Sequence, residues 1–330
     1  MYTTESRSAV TPRRRTLTRL SAAVIAVALV LAACSDSDDE PNADPSSTTE
    51  AGAGATFTFK PLDVGGPLTK DALENGDIDI GVLFSSDGAI PANEWVALED
   101  DEKLQPVDNF IPAIREDANT PEIAAVLNAV MAKLTREAMQ DMVNRVAIDG
   151  EDPQDVADAF LEDNDLPGDL EATGSLTVGS SNFAESNITA GLFAGALEQA
   201  GVEVDKKLDI GAREVYLPAL ERGDIDLVPE FVGTLLTFLE GEPSTDLEET
   251  TAAARTAAEE KGYTVLEASP ADSVNTFVVT KDTADKYSLA KVSDLAGVED
   301  ELTLGGPPEC PERQPCLLGL KEVYGLKFAE

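Results

Sequence analysis

Eight residues of this chain occur twice. Ala72-Leu73-Glu74-Asn75-Gly76-Asp77-Ile78-Asp79 returns as Ala219-Leu220-Glu221-Arg222-Gly223-Asp224-Ile225-Asp226, with seven identities in eight positions. In each copy a helix runs into a glycine that can take the left-handed cap conformation, and an aspartate-flanked apolar strand leaves at once. Helix, glycine and strand is a common αβ turn, so convergence on turn chemistry can produce such a match. Identity this dense favours two α/β lobes built on one plan, and two such lobes with a cleft between them form a binding architecture.

The rest of the chain keeps the alternation. Phe57 to Leu62 reads as a strand, Pro67 to Glu74 as a helix and Asp77 to Phe84 as an apolar strand. A long helical stretch covers Pro121 to Arg145, with Pro121 suited to the first turn, and Pro153 to Glu162 forms a shorter helix. Pro167 to Gly174 reads as a linker. The chain then restarts with a strand over Ser175 to Gly179 and a helix from about Ala184 to Ala200, stopped by Gly201.

Composition excludes more than it selects. Among 330 residues there is no histidine, which removes the commonest general base, the usual Ser-His and Cys-His pairs and the usual transition-metal ligand. Acidic residues number 63 against 24 basic, a net charge of −39, and a surface of that sign repels nucleic acid. No enzyme, no metal and no cofactor is therefore expected.

The first 33 residues read as an export signal, with Arg13, Arg14, Arg15 and Arg19 before an apolar stretch, Leu20 to Leu31, too short to span a bilayer comfortably. Leu31-Ala32-Ala33-Cys34 resembles a bacterial lipobox, which predicts Cys34 as a lipid anchor; an ordinary secretory peptide is the alternative. The Arg-Arg pair also permits twin-arginine export. Residues 34–56, rich in Ser, Asp, Thr, Gly and Pro, are expected to be a flexible tether. Cys310 and Cys316, in Cys-Pro-Glu-Arg-Gln-Pro-Cys, most simply form a disulfide in an exported protein, since no further Cys or His completes a metal site.

From Ser175 onward the chain resembles the opening half of the glycine-betaine, carnitine and choline substrate-binding proteins of bacterial ABC importers. The residues that carry the resemblance are Leu176 to Glu185 (Leu-Thr-Val-Gly-Ser-Ser-Asn-Phe-Ala-Glu), Gly211 to Tyr216 (Gly-Ala-Arg-Glu-Val-Tyr), and Asp224 to Leu236 (Asp-Ile-Asp-Leu-Val-Pro-Glu-Phe-Val-Gly-Thr-Leu-Leu). Phe59 to about Leu161 resembles the closing half, through Leu62-Asp63-Val64-Gly65-Gly66-Pro67-Leu68, Leu98-Glu99-Asp100-Asp101 and Leu134-Thr135. The order of halves is inverted relative to the family. This implies a circular permutant in which 167–174 joins the ancestral ends; halves swapped between two chains, or an error in sequence assembly, are the alternatives.

The resemblance implies an α/β, two-lobed class II-like periplasmic binding protein. One lobe is expected over 108–166 and 175–281, the other over 57–107 and 282–330, with hinge strands near Asn109 to Arg115 and Thr276 to Lys281. It implies capture of a quaternary amine and delivery to ABC permease subunits at the outer face of the cytoplasmic membrane, by a monomer. A quaternary ammonium donates no hydrogen bond, so aromatic faces must hold it. Phe231 and Phe277 fall at the family's cage positions. Thr234, with the turn Ser181-Asn182-Phe183, would meet the polar end of the ligand, and Arg313 would face the cleft from the other lobe. Asp87 and Asp272 could add charge. Where relatives carry a Pro-Pro-Tyr, this chain has Gln105-Pro106-Val107, which leaves the cage one aromatic short. Two rival readings are an enzyme working with carboxylates alone, such as a glycosidase, and a surface sensor that kept the fold without transport.

Overall fold

The computed structural model describes residues 56–298 and 302–328. Cys34 and the export segment lie outside the described residues, as does the tether up to residue 55.

Eleven strands form two mixed sheets among these residues: β1 (Thr56–Pro61), β2 (Ile80–Phe84), β3 (Val96–Ala97), β4 (Phe110–Arg115), β5 (Ser175–Gly179), β6 (Glu203–Lys207), β7 (Leu227–Phe231), β8 (Tyr263–Val265), β9 (Asn275–Val279), β10 (Thr303–Gly306) and β11 (Lys327–Phe328). The first lobe holds the sheet β6-β5-β7-β4-β8 and the second lobe β11-β1-β10-β2-β9-β3. Apart from β11 at its edge, the second sheet repeats the first position by position. In each, one strand has crossed over from the other lobe and runs antiparallel to its neighbours: β4 against β7 and β8, β9 against β2 and β3.

The helices that frame the cleft are α1 (Pro67–Glu74), α2 (Ala89–Ala92), α3 (Pro121–Lys133), α4 (Arg136–Ala147), α5 (Pro153–Asp163), α6 (Ala184–Ala200), α7 (Arg213–Arg222) and α8 (Val232–Phe238). The repeated octapeptide ends α1 and α7 alike. Gly76 and Gly223 take φ of 72° and 75°, where a side chain would be strained. The Asp77 and Asp224 amides then donate to the Ala72 and Ala219 carbonyls, both at 2.8 Å. Asp79 accepts from the Thr303 amide at the start of β10 (2.8 Å), and Asp226 accepts from the Thr177 amide in β5 (2.9 Å). Each copy thus caps its helix and clamps the neighbouring strand.

Two sequence expectations shift. The helix expected over Pro121 to Arg145 is two helices, because Thr135 breaks it: its side chain accepts from the Ala138 amide and caps α4. Strand β9, assigned by sequence to the first lobe and to a hinge, lies inside the second-lobe sheet, and β4 lies inside the first. The lobe boundary therefore falls near 274, not 281. The chain crosses between lobes in the segments between β3 and β4 and between β8 and β9, which meet at an antiparallel bridge between Asn109 and Asp272. The segment 167–174 runs from α5 to β5 without regular structure; Leu166 and Ala172 bury their side chains at its margins.

The first-lobe core centres on α6, with Ile188, Leu192, Phe193 and Leu197 fully buried against α3, α4 and α5. The second-lobe core gathers Phe57, Val82, Phe277 and Leu304, and the bonded Cys310 and Cys316, with Cα atoms 5.2 Å apart, are part of it.

Candidate functional site

A cavity of about 470 Å³ lies between the lobes. Strand β2 delivers Phe84 to it from the second lobe; from the first, Phe183 caps α6 and Phe231 ends β7 where α8 begins. The Phe183 and Phe231 rings stack at 6.1 Å and 21°, and Phe110 backs Phe231 at 4.7 Å. Phe84 and Phe183 are about 40% exposed, far more than core rings such as Phe110 or Phe193. Three π faces therefore border one space.

Carboxylates surround them. Asp108, on the crossing segment, accepts from the Thr234 amide at 2.8 Å and from the Thr234 hydroxyl. Burial pushes its carboxyl up to about 6, against the pull of these two bonds. Glu185, in the first turn of α6, accepts from Ser86 Oγ across the cleft at 3.0 Å, and burial pushes its carboxyl up as well. Asp87 is paired with Lys70 at 2.7 Å. Arg213 opens α7 and is gripped by buried Glu230, through Nε and Nη2 at 2.8 Å each; Glu230 also accepts from the Tyr216 hydroxyl and the Phe231 amide. That network fixes the backbone from which the Phe231 ring projects.

Of the residues named from sequence, Phe183, Phe231, Thr234 and Asp87 line the cavity. Others lie elsewhere. Phe277 is 2% exposed, opposite Val82 on β2, and its ring packs in the second-lobe core because β9 is paired on both sides. Ser181 is buried and donates to the Gly211 carbonyl at 2.8 Å, a turn-forming bond, while Asn182 points to solvent. Asp272 holds Arg136 at 2.7 Å and accepts from Ser85 Oγ at 2.7 Å, tying the crossing segment to both lobes. Arg313 is exposed and pairs with Glu309 at 3.4 Å on its own loop. Ser181, Asp272 and Arg313 share a reason: each already has a partner nearer than the cleft.

Phe84, Asp108 and Glu185 were missed. A signal for Phe84 existed, since Phe84 and Phe231 each stand eight positions beyond the turn glycine of the repeat. The two rings are equivalents in the two lobes. Glu185 closes the Leu176 to Glu185 motif, a signal that was passed over, while nothing in sequence marks Asp108 among so many acids.

An α/β scaffold that closes two matching lobes over an aromatic, carboxylate-lined cavity is a ligand-binding module. The chain belongs to the family described as the substrate binding domain of ABC-type glycine betaine transport systems, whose profile matches residues 56–163 and 174–330. It is 31% identical over 160 residues to the carnitine transport binding protein OpuCC of Listeria monocytogenes, covering 47% of this chain and 52% of that protein. It is 26% identical over 177 residues to the glycine betaine-binding protein YehZ of Escherichia coli K12, covering 49% and 55%. The chain spans about half the length of the curated relatives it matches. Among solved structures, the unliganded open form of the periplasmic murein tripeptide-binding protein MppA superposes weakly, with a TM-score of 0.32, 11% identity, and 69% of this chain and 54% of that chain covered.

Proposed function

We propose that this chain captures a quaternary-amine osmoprotectant between its lobes and delivers it to an ABC permease, performing no reaction itself. The observation that carries this is the convergence of Phe84, Phe183 and Phe231 from both lobes on a cavity bordered by Asp87, Asp108 and Glu185. A cation that cannot hydrogen-bond gains from π faces and nearby negative charge, and from little else. Family membership and the names of the relatives support the same reading. The protein works as an exported monomer held by a lipid on Cys34, and its inverted halves make it a circular permutant.

The test is a thermal-shift screen of the purified chain against choline, glycine betaine, carnitine, sugars and short peptides. A ligand at 100 times its dissociation constant adds about 2.7 kcal/mol to stability, so at least one quaternary amine should raise the melting temperature. Stabilisation by a sugar or peptide, with none by the amines, overturns the proposal. In cells, Cys34→Ala should move the protein from the membrane to the soluble fraction; continued membrane association refutes the anchor.

A further inference from the structure

The cavity offers little to a ligand carboxylate. Each charged or hydroxyl donor lining it is engaged within the protein: Lys70 by Asp87, Arg213 by Glu230, the Thr234 hydroxyl by Asp108, and Ser273 Oγ by Ser86 Oγ at 2.9 Å. The start of α6 also opens on this space, where a helix N-terminus would suit an anion. There the first turn of α6 carries Glu185, so the protein's own carboxylate already stands at that end.

Charge points the same way. Asp87, Asp108, Glu185 and Glu230 stand against Lys70 and Arg213, leaving two negative charges uncompensated beside three ring faces. A zwitterion would add a fifth carboxylate to those four, whereas a simple cation would neutralise part of the excess. Asn144 adds a clue about the other end of the ligand. It lines the cavity, and its Oδ1 is buried without a hydrogen-bond partner among the described residues. A hydroxyl satisfies a side-chain amide in either orientation, because it both donates and accepts.

We propose that the cavity selects a net cation, an alkylated ammonium ending in a hydroxyl, over a zwitterion ending in a carboxylate. This rests on the quaternary-amine reading given above and narrows it to one charge class. The selectivity depends on pH. Asp108 is faced by Thr234 from α8, Glu230 from β7 and Arg213 from α7; Glu185 is faced by Ser86, Asp87 and Lys70 of the other lobe. Burial raises both carboxyls, Asp108 to about 6, so the Asp108 charge is present above neutrality and is lost as pH falls through that value, and protonation of Glu185 acts in the same direction. Cation affinity follows it down.

Isothermal titration calorimetry of the intact chain with choline and glycine betaine tests this, because the two differ chiefly in a hydroxymethyl against a carboxylate. At pH 7.5 choline should bind at least about tenfold more tightly, a modest demand on two nearby charges. Lowering the pH to 5 should weaken choline by about tenfold and betaine by less, because the betaine carboxylate stays ionised there. Glu185→Gln should shrink the choline preference by several-fold. Betaine binding tighter than choline at pH 7.5 overturns this inference and leaves the proposed function standing; no binding of either overturns this inference, and the proposed function falls with it if carnitine also fails to bind. An unchanged preference at pH 5, or in a folded Glu185→Gln protein, also refutes it.

Discussion

Phe84 and Phe277 sit on paired strands of one sheet, and their exposure separates their roles. Phe84 ends β2 at the cleft and is 39% exposed, while Phe277, on the same sheet face but opposite Val82, is buried at 2%. Truncating Phe277 to Ala leaves a core void and should lower stability by about 3 to 5 kcal/mol, with little change in ligand affinity of the folded protein. Phe84→Ala removes one π face and should weaken a quaternary ammonium by about 0.5 to 2 kcal/mol at small cost in stability. Thermal melts and titration calorimetry on both variants decide it; a larger affinity loss for Phe277→Ala reverses the assignment. At this scale the sequence was half legible. Phe183, Phe231 and Thr234 stand in motifs whose residues carry a family resemblance, so their place at the cavity could be anticipated. Glu185 closes one of those motifs, but its burial and its partner across the cleft are not legible there, and Asp108 owes its interest to burial, of which one carboxylate among 63 acids carries no mark.

The lobes meet where α2 lies on α4, and Gly88 before α2 makes that approach possible. A Cβ at position 88 would stand 2.5 Å from the Asn144 amide nitrogen and 2.7 Å from the Gln140 carbonyl oxygen, both backbone atoms that cannot swing aside. Two bonds sit beside this contact, Gln140 Nε2 to the Ser85 carbonyl at 2.8 Å and Ser86 to Glu185. Gly88→Ala should leave each lobe intact while opposing closure by roughly 1 to 3 kcal/mol, the usual cost of overpacking. Ligand affinity should then fall by about 5- to 150-fold, and small-angle scattering of the ligand-saturated variant should show a more open particle. Unchanged affinity removes Gly88 from the closure contact. Helices and strands themselves were largely readable, because their periodicity and caps are local. What periodicity could not tell was sheet membership: Asn275–Val279 reads as an apolar strand, but only its pairing with β2 and β3 puts it in the second lobe. Likewise Thr135, as cap, ended a helix that apolar spacing alone would have continued.

Across the molecule, the equivalence of the two sheets leaves β11 as an addition at one edge, and β11 pairs in parallel with β1, Lys327 beside Thr56 and Phe57 beside Phe328. The Phe57 and Phe328 rings lie 5.3 Å apart. The first and last described strands therefore share one edge of one lobe, as a circular permutant requires. Because β11 has two residues, a link leaving it need step back only one residue and across one strand, about 6 Å. Residues 168–171, by contrast, are exposed between buried Leu166 and Ala172, and the Ala172 amide is held by the Ala200 carbonyl. A gene running Leu170 to Glu330, then a flexible linker of roughly six residues, then Thr56 to Asp169 should therefore fold with the same packing. Connectivity would change while the contacts persist, and loop-closure entropy grows only slowly with length. Such a chain is expected to sediment as a monomer, to melt within a few degrees of the natural order and to bind the same ligand with unchanged affinity. If halves were instead exchanged between two chains, the natural protein would sediment as a dimer at every accessible concentration. That dimer, or a rearranged chain that fails to fold, would rule out permutation as the origin of the inverted order.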